Sequence, residues 1–463
     1  MGVDTSVAAQ LQSLAQFITS PLGMVAMAML LLAAIAAVTM PRMRWLLLAL
    51  LFWASTFGYT GADFQEYNNL ISPLELIRRY SRTIVAALTL TLIIPAFTSA
   101  RGWRQRLISP VAVLFLLFEL LFCMREMFNG DMERGPVAMV VFIITFVVLC
   151  IGLPRWIQTV DDVHSAVGSI ALGASLFCLC TFAQAVVNRG AIVLNGRMIG
   201  TTGNPQTAAL ILGSGLAPLC YLVARRSQPL LMRVVYGGMA ALNAIFLCWT
   251  GSRTGLIIAV VGLVITFRYR LHRLFLLSVC TAAFVAILLF NFSDSTVIGD
   301  HLMSTEDTRS AIWTAQFQDY TSHLFFGNLT EGLVWGYGEN SYLGAASRYG
   351  TVGILPLVIA MGLCIIEIVR LNANKRYLQE EAMLVDLVTG CLIACAIGAW
   401  FEGYLLASFS FPTYCLLVYF ALISALRDVA TARYTQGLAG VPSGDLPQYV
   451  GGVEPAVEYS LGS

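Results

Sequence analysis

The chain has 463 residues, of which 58% are hydrophobic and only 11% charged, and its mean hydropathy is +0.77. These values lie far outside the range of water-soluble domains and exclude an ordinary globular enzyme. The formal net charge of +1 gives no sign of a nucleic-acid partner.

The first residues carry no Lys or Arg, so the basic front end of a cleavable signal peptide is missing, and residues 6–20 are expected to form a short interfacial helix. Apolar stretches long enough to cross a hydrocarbon core of about 30 Å then follow in order. They lie near 22–40, 44–61, 81–99, 107–124, 136–153, 165–187, 206–224, 230–249, 254–268, 273–292, 351–369, 382–405 and 409–425. The expected fold is an all-α polytopic membrane protein of about 12–13 transmembrane helices, with one long polar loop, 293–350, between late helices. Residues 1–433 form a single transmembrane domain in this reading. From Tyr434 onward Gly, Pro and Ser accumulate without apolar periodicity, so 434–463 is expected to be a disordered cytoplasmic tail.

Basic residues are unevenly placed. If alternate loops are assigned by the positive-inside rule, about 17 of the 27 fall on one side, among them Arg42, Arg44, Arg155, Arg225, Arg268, Lys375 and Arg427. That side is read as the cytoplasm, which puts the 293–350 loop outside. Ten arginines remain on the outer side, including Arg125, Arg197, Arg253, Arg309 and Arg348, and each needs a reason to be there.

The eleven cysteines lie in or beside apolar spans, where they behave as small core residues. The four histidines are too scattered for a metal site, and no GxxxxGK[ST] phosphate loop occurs. No cofactor is expected, and no ATP hydrolysis by the chain itself.

Three outer segments carry candidate chemistry. Asn195 to Pro205 joins glycines to an Asn-Pro helix start; it is either a re-entry turn or part of a site, with Arg197 and Asn204 as its polar members. Thr250-Gly251-Ser252-Arg253-Thr254 is a very short turn between two spans. Its arginine either snorkels to the interface or meets a phosphate there.

The third segment is the long loop. Ser304-Thr305-Glu306-Asp307 has the pattern of a helix start, and Arg309, Trp313, Phe317, Tyr320 and Leu324 then recur at helical spacing, which predicts an amphipathic helix along the membrane surface. Arg309 falls on the apolar stripe. Its partner must be an internal carboxylate or an anionic ligand. Glu339 and Asn340 stand at the start of a further helix that carries Ser341, Ala345 and Arg348 on one side; Glu339 is either a dipole-favoured carboxylate or a general base. Glu119 and Glu402 are ionisable groups inside spans and so functional candidates by default, although either could simply pair with an arginine. They also suit a secondary transporter, but no internal repeat is evident, and polar residues gather at the outer surface instead.

Gly200-Thr201 with Asn204-Pro205, then Gly251-Ser252-Arg253-Thr254, then Arg309 and Trp313, then Glu339-Asn340-Ser341-Tyr342-Leu343 with Gly350 and Gly353, resemble the ordered motifs of the O-antigen ligase and Wzy-type polysaccharide polymerase superfamily. The resemblance covers residues 195–356 directly. It implies transfer of an oligosaccharide from an undecaprenyl-pyrophosphate carrier to an acceptor sugar at the periplasmic face of a bacterial inner membrane, without nucleotide or metal. It makes Arg253 and Arg309 the pyrophosphate cradle, Glu339 the base, and Arg197, Asn204, Asn340, Ser341 and Arg348 substrate-binding residues. A flippase and chain-length or export proteins are candidate partners beside the bilayer. Glu339 stands where ligases usually carry histidine, which favours a polymerase over a ligase. Arg348 stands where many relatives have an acid, a second departure from the family pattern. A lipid-linked sugar flippase is the rival from another class.

Overall fold

The structure is a computed structural model that describes residues 21–57, 70–98, 109–128, 134–157, 159–269, 309–328, 340–406 and 410–439. Eight helices among the described residues are long and apolar enough to cross a membrane, so the chain is an all-α, multi-pass membrane protein. In chain order the helices begin with α1 (Pro21–Thr39), α2 (Pro41–Ser55), α3 (Ser72–Arg79), α4 (Ser81–Thr98) and α5 (Pro110–Phe128). Helix α6 (Arg134–Phe146) continues through a π-helical turn, Val147–Gly152, and Leu153–Trp156. Then come α7 (Val160–Val187), a two-strand hairpin of β1 (Val193–Leu194) and β2 (Arg197–Met198), α8 (Pro205–Ala224), α9 (Leu230–Trp249) and α10 (Arg253–Phe267). The chain closes with α11 (Ser310–Ser322), α12 (Ser341–Ala373), α13 (Ala382–Phe401) and α14 (Phe411–Ala439).

Several expectations shift. The spans expected at 44–61 and 254–268 become 15-residue helices, α2 and α10. Helix α5 carries Glu119, Arg125 and Glu126 along its 19 residues, and the stretch 273–292 lies outside the described residues. Helix α14 runs to Ala439, past the tail boundary expected at Tyr434, because Ala, Arg, Gln and Leu sustain a helix once it is nucleated. The long polar loop ends at Asn340 rather than at Gly350. Residues 6–20 and 304–307 lie outside the described residues.

Small residues let the central helices approach closely. A Cβ on Gly213 of α8 would lie 2.6 Å from the Gly255 carbonyl oxygen of α10, and one on Gly255 would lie 2.7 Å from that of Ala209. Gly390 of α13 meets the Gly262 carbonyl at 3.0 Å in the same sense. In a bilayer, where burying apolar surface gives helices no net drive to associate, such backbone contact supplies the packing. Helices α8, α13 and α14 are accordingly mostly buried, whereas α9 exposes most of its surface.

Charge separates by end. At one end Arg225 pairs with Asp161, Arg268 and Lys375 with Asp386, and Arg427 and Arg370 with Glu367. The alternation of helix direction puts Arg125, Arg197, Arg253 and Arg309 at the other. That second end holds the candidate site.

Helix α12 is broken there. Gly350 has φ 63° and ψ −168°, a conformation open essentially to glycine alone. The Tyr342 hydroxyl reaches the Met361 sulfur at 4.0 Å, although 19 residues separate them. In a continuous helix that separation spans about 28 Å. The segment before Gly350 therefore folds back beside the segment after it, and Ser341 points into the bundle.

The break leaves backbone groups that a membrane protein must satisfy internally. The chain just after α11 does so: Thr351 N donates to the Leu324 carbonyl at 2.8 Å, Val352 N to that of Phe325 at 3.1 Å, and Asn328 N to that of Ser347 at 3.0 Å. Arg125 locks the arrangement by donating to the carbonyls of Phe326 at 2.9 Å, Asn328 and Arg348, with its guanidinium against the Tyr349 ring. This gives Arg125 a structural reason to sit against the charge rule.

Candidate functional site

Each segment singled out in the sequence reaches this end through its own turn chemistry. Asn195 (φ 50°) and Gly196 (φ 76°) form the left-handed pair of a tight hairpin turn, which brings Arg197 onto β2. Asn204 caps α8 by accepting from Gln206 N at 2.8 Å and Thr207 N at 3.3 Å, with Pro205 in the first turn. Ser252 caps α10 by accepting from Gly255 N at 3.4 Å. Asn340 caps α12 by accepting from Tyr342 N at 2.9 Å and Leu343 N at 3.0 Å.

The starts of α10 and α12 meet at Glu402. Glu402 ends α13 as its C-cap and is buried. Its Oε1 accepts from Arg309 Nη2 at 3.1 Å and from Thr254 Oγ1 at 3.3 Å, while its backbone carbonyl accepts from Ser341 Oγ at 2.6 Å. Ser341 Oγ also accepts from Leu405 N at 3.2 Å, fixing the turn after α13. Arg309 uses Nη1 on the Phe401 carbonyl at 2.9 Å, lies over the Phe401 ring, and is followed by Trp313 against the same ring at 6.3 Å between centroids. The internal carboxylate is thus the partner that the apolar position of Arg309 calls for.

Arg197 is half-buried, and its Nε donates to the Thr250 carbonyl at 2.7 Å. Burial pushes its pKa below the ordinary arginine value, and the field of Glu402 pulls it back up; the guanidinium stays protonated. Arg253 opens α10 as an exposed residue next to Thr254. The node thus joins one carboxylate to the guanidinium of Arg309, the field of Arg197 and the N-terminal turns of α10 and α12, whose helix dipoles bias their surroundings positive. Neither a protein-family model nor a curated protein matches the chain.

The arrangement brings together Arg309, Ser341 and, through Thr254 and the field of Glu402, Arg253 and Arg197. It does not bring Asn204 or Asn340 to the node through their side-chain oxygens, which cap helices. Arg348 is half-buried on α12, and its carbonyl belongs to the Arg125 clamp. Glu339 lies outside the described residues.

Sequence reasoning did not give Glu402 its place at the centre. It was visible as an ionisable residue within a span, with Gly403 after it, but its contact with Arg309 joins residues 93 apart. Helix α13 stops at Phe401, so Glu402 sits at the span's end rather than inside it. Arg125 carried a signal too, as a cation on the side the charge rule disfavours.

Proposed function

We propose that the protein is a glycosyltransferase that joins undecaprenyl-pyrophosphate-linked oligosaccharide repeat units into a surface polysaccharide or exopolysaccharide, at the periplasmic face of a bacterial inner membrane. The observation that carries this reading is the node of Arg309, Glu402, Thr254 and Ser341 at the start of α10 and α12, with Arg197 in the field of Glu402. Guanidinium groups and helix N-termini together form an environment for phosphate oxygens. The motif resemblance supplies the donor and acceptor classes, and the polar node at the helix ends favours an interfacial enzyme over a transporter with a midplane site.

In this reaction an acceptor hydroxyl attacks the anomeric carbon of the donor sugar as the bond to the pyrophosphate oxygen breaks. Arg309, with Arg253 and Arg197 at the same end of the bundle, stabilises the negative charge that grows on the leaving pyrophosphate. A base takes the hydroxyl proton, and by resemblance that base is Glu339. Deleting the gene and resolving surface glycans on gels tests the reading. Loss of long chains with single repeat units still delivered is the expected result. Accumulation of long carrier-linked chains would assign a ligase instead, and an unchanged glycan profile would overturn both.

The orientation is tested separately. Reporter fusions after Ser304 and Gly332 are expected to signal a periplasmic location, and fusions after Arg226 and Lys375 a cytoplasmic one. A cytoplasmic signal from the 293–350 loop would remove the proposed reaction, because its donor is displayed outside.

A further inference from the structure

Glu402 is an odd residue to find in an anion site. A carboxylate at the C-terminal end of its own helix opposes the dipole of α13, and burial adds a desolvation penalty. Its compensation comes from other elements: Arg309 at 3.1 Å, Thr254 in the first turn of α10 at 3.3 Å, and the field shared with Arg197. The carboxylate therefore holds the position that a phosphate oxygen would take on Arg309 Nη2.

Arg309 is meanwhile anchored independently of that bond, because Nη1 donates to the Phe401 carbonyl at 2.9 Å. Its side chain is 26% exposed, against 11% for Glu402, so the arginine is the more accessible member of the pair.

We propose that Glu402 is a built-in competitor for Arg309, one that limits how tightly a diphosphate is held and so eases its release. This rests on the proposed function, which makes Arg309 part of a pyrophosphate cradle. The reason is charge exchange. An anion that displaces Glu402 from Arg309 exchanges one negative charge for another at that guanidinium and separates a buried carboxylate from it, a cost the ligand must meet. A pyrophosphate meets that cost with the additional charge it brings for Arg197 and the two helix N-termini to share. The same competition limits how tightly the product is held.

The test is calorimetric titration of the full-length protein in nanodiscs with inorganic pyrophosphate and with inorganic orthophosphate. The wild type is expected to prefer pyrophosphate. Glu402→Gln keeps size and hydrogen-bonding capacity but removes the competing charge, so pyrophosphate should bind about tenfold more tightly, the scale of one charge-assisted hydrogen bond released to the ligand.

Glu402→Asp keeps the charge but draws it back by one methylene, and should show a smaller gain in the same direction. It supplies the readout if the glutamine variant does not fold. Wild-type binding that is unchanged or weakened in these variants would overturn the competitor role and leave the cradle intact. Absence of pyrophosphate binding in the wild type would overturn the cradle, and the competitor with it.

Discussion

Replacing Gly350 with alanine is expected to destroy activity by undoing the break in α12, without touching any residue of the Arg309–Glu402 node. At φ 63° and ψ −168° the backbone lies where a side chain is strained whatever the surrounding space. Space is also lacking, since a Cβ there would lie 2.4 Å from both the carbonyl carbon and the carbonyl oxygen of Phe325. Gly327 faces the same limit from the other side, with φ 71° and a would-be Cβ 2.3 Å from the Arg348 carbonyl. The two chains touch backbone to backbone, so neither can yield without breaking the hydrogen bonds of Thr351, Val352 and Asn328. A loss on the order of 3 kcal/mol or more is expected, with aggregation or a lowered melting temperature in detergent. Gly362→Ala is the control: it lies in the same helix, and a Cβ there meets nothing within 4 Å, so its melting temperature should stay near wild type. Equal melting temperatures for the two variants would sink the argument.

The helical frame and its ends were open to sequence reasoning because they depend on local physics. Apolar length marks a span, and Asn204-Pro205, Ser252 and Asn340 are residues whose side chains satisfy the first backbone N–H groups of a helix, which is what they do. Arginine bias along the chain divided its cations into two sets, and the ion pairs at one end of the bundle follow that division. The break at Gly350 was hidden because glycine in an apolar stretch carries no mark of its φ and ψ. The Glu402 node was hidden for a different reason. Arg309 announced its need for an anion by falling on an apolar stripe, but nothing local to Arg309 says that the anion is 93 residues away at the end of α13. Glu402 called for an arginine in the same way, but its place near the end of a long apolar stretch did not say which one.

Arg309→Lys is expected to lower polymer synthesis by at least about 100-fold while the protein still reaches the membrane, the scale seen when one preorganised donor to a developing anion is lost. The guanidinium serves two partners at once, Nη1 on the Phe401 carbonyl and Nη2 on Glu402, on a side chain that is 26% exposed. A lysine ammonium keeps the charge and so keeps Glu402 from being buried without a counter-ion, which protects the fold. It has no planar fork, however, and cannot hold the backbone carbonyl and the carboxylate while also presenting two donors to a phosphate. Arg309→Gln removes the charge as well and is expected to lower both activity and melting temperature. Comparing the two separates chemistry from folding, since loss of synthesis in the lysine variant at a wild-type melting temperature assigns the effect to the donor geometry. Arg253→Lys is expected to give a smaller loss, because Arg253 is exposed at the start of α10, where its neighbour Thr254 is the residue that donates to Glu402. The measurement is the length distribution of surface glycans at matched expression, together with thermal unfolding of the purified variants. Full-length polymer from both lysine variants would move the pyrophosphate cradle away from this end of the bundle and leave the Arg309–Glu402 pair as a structural lock between α11 and α13.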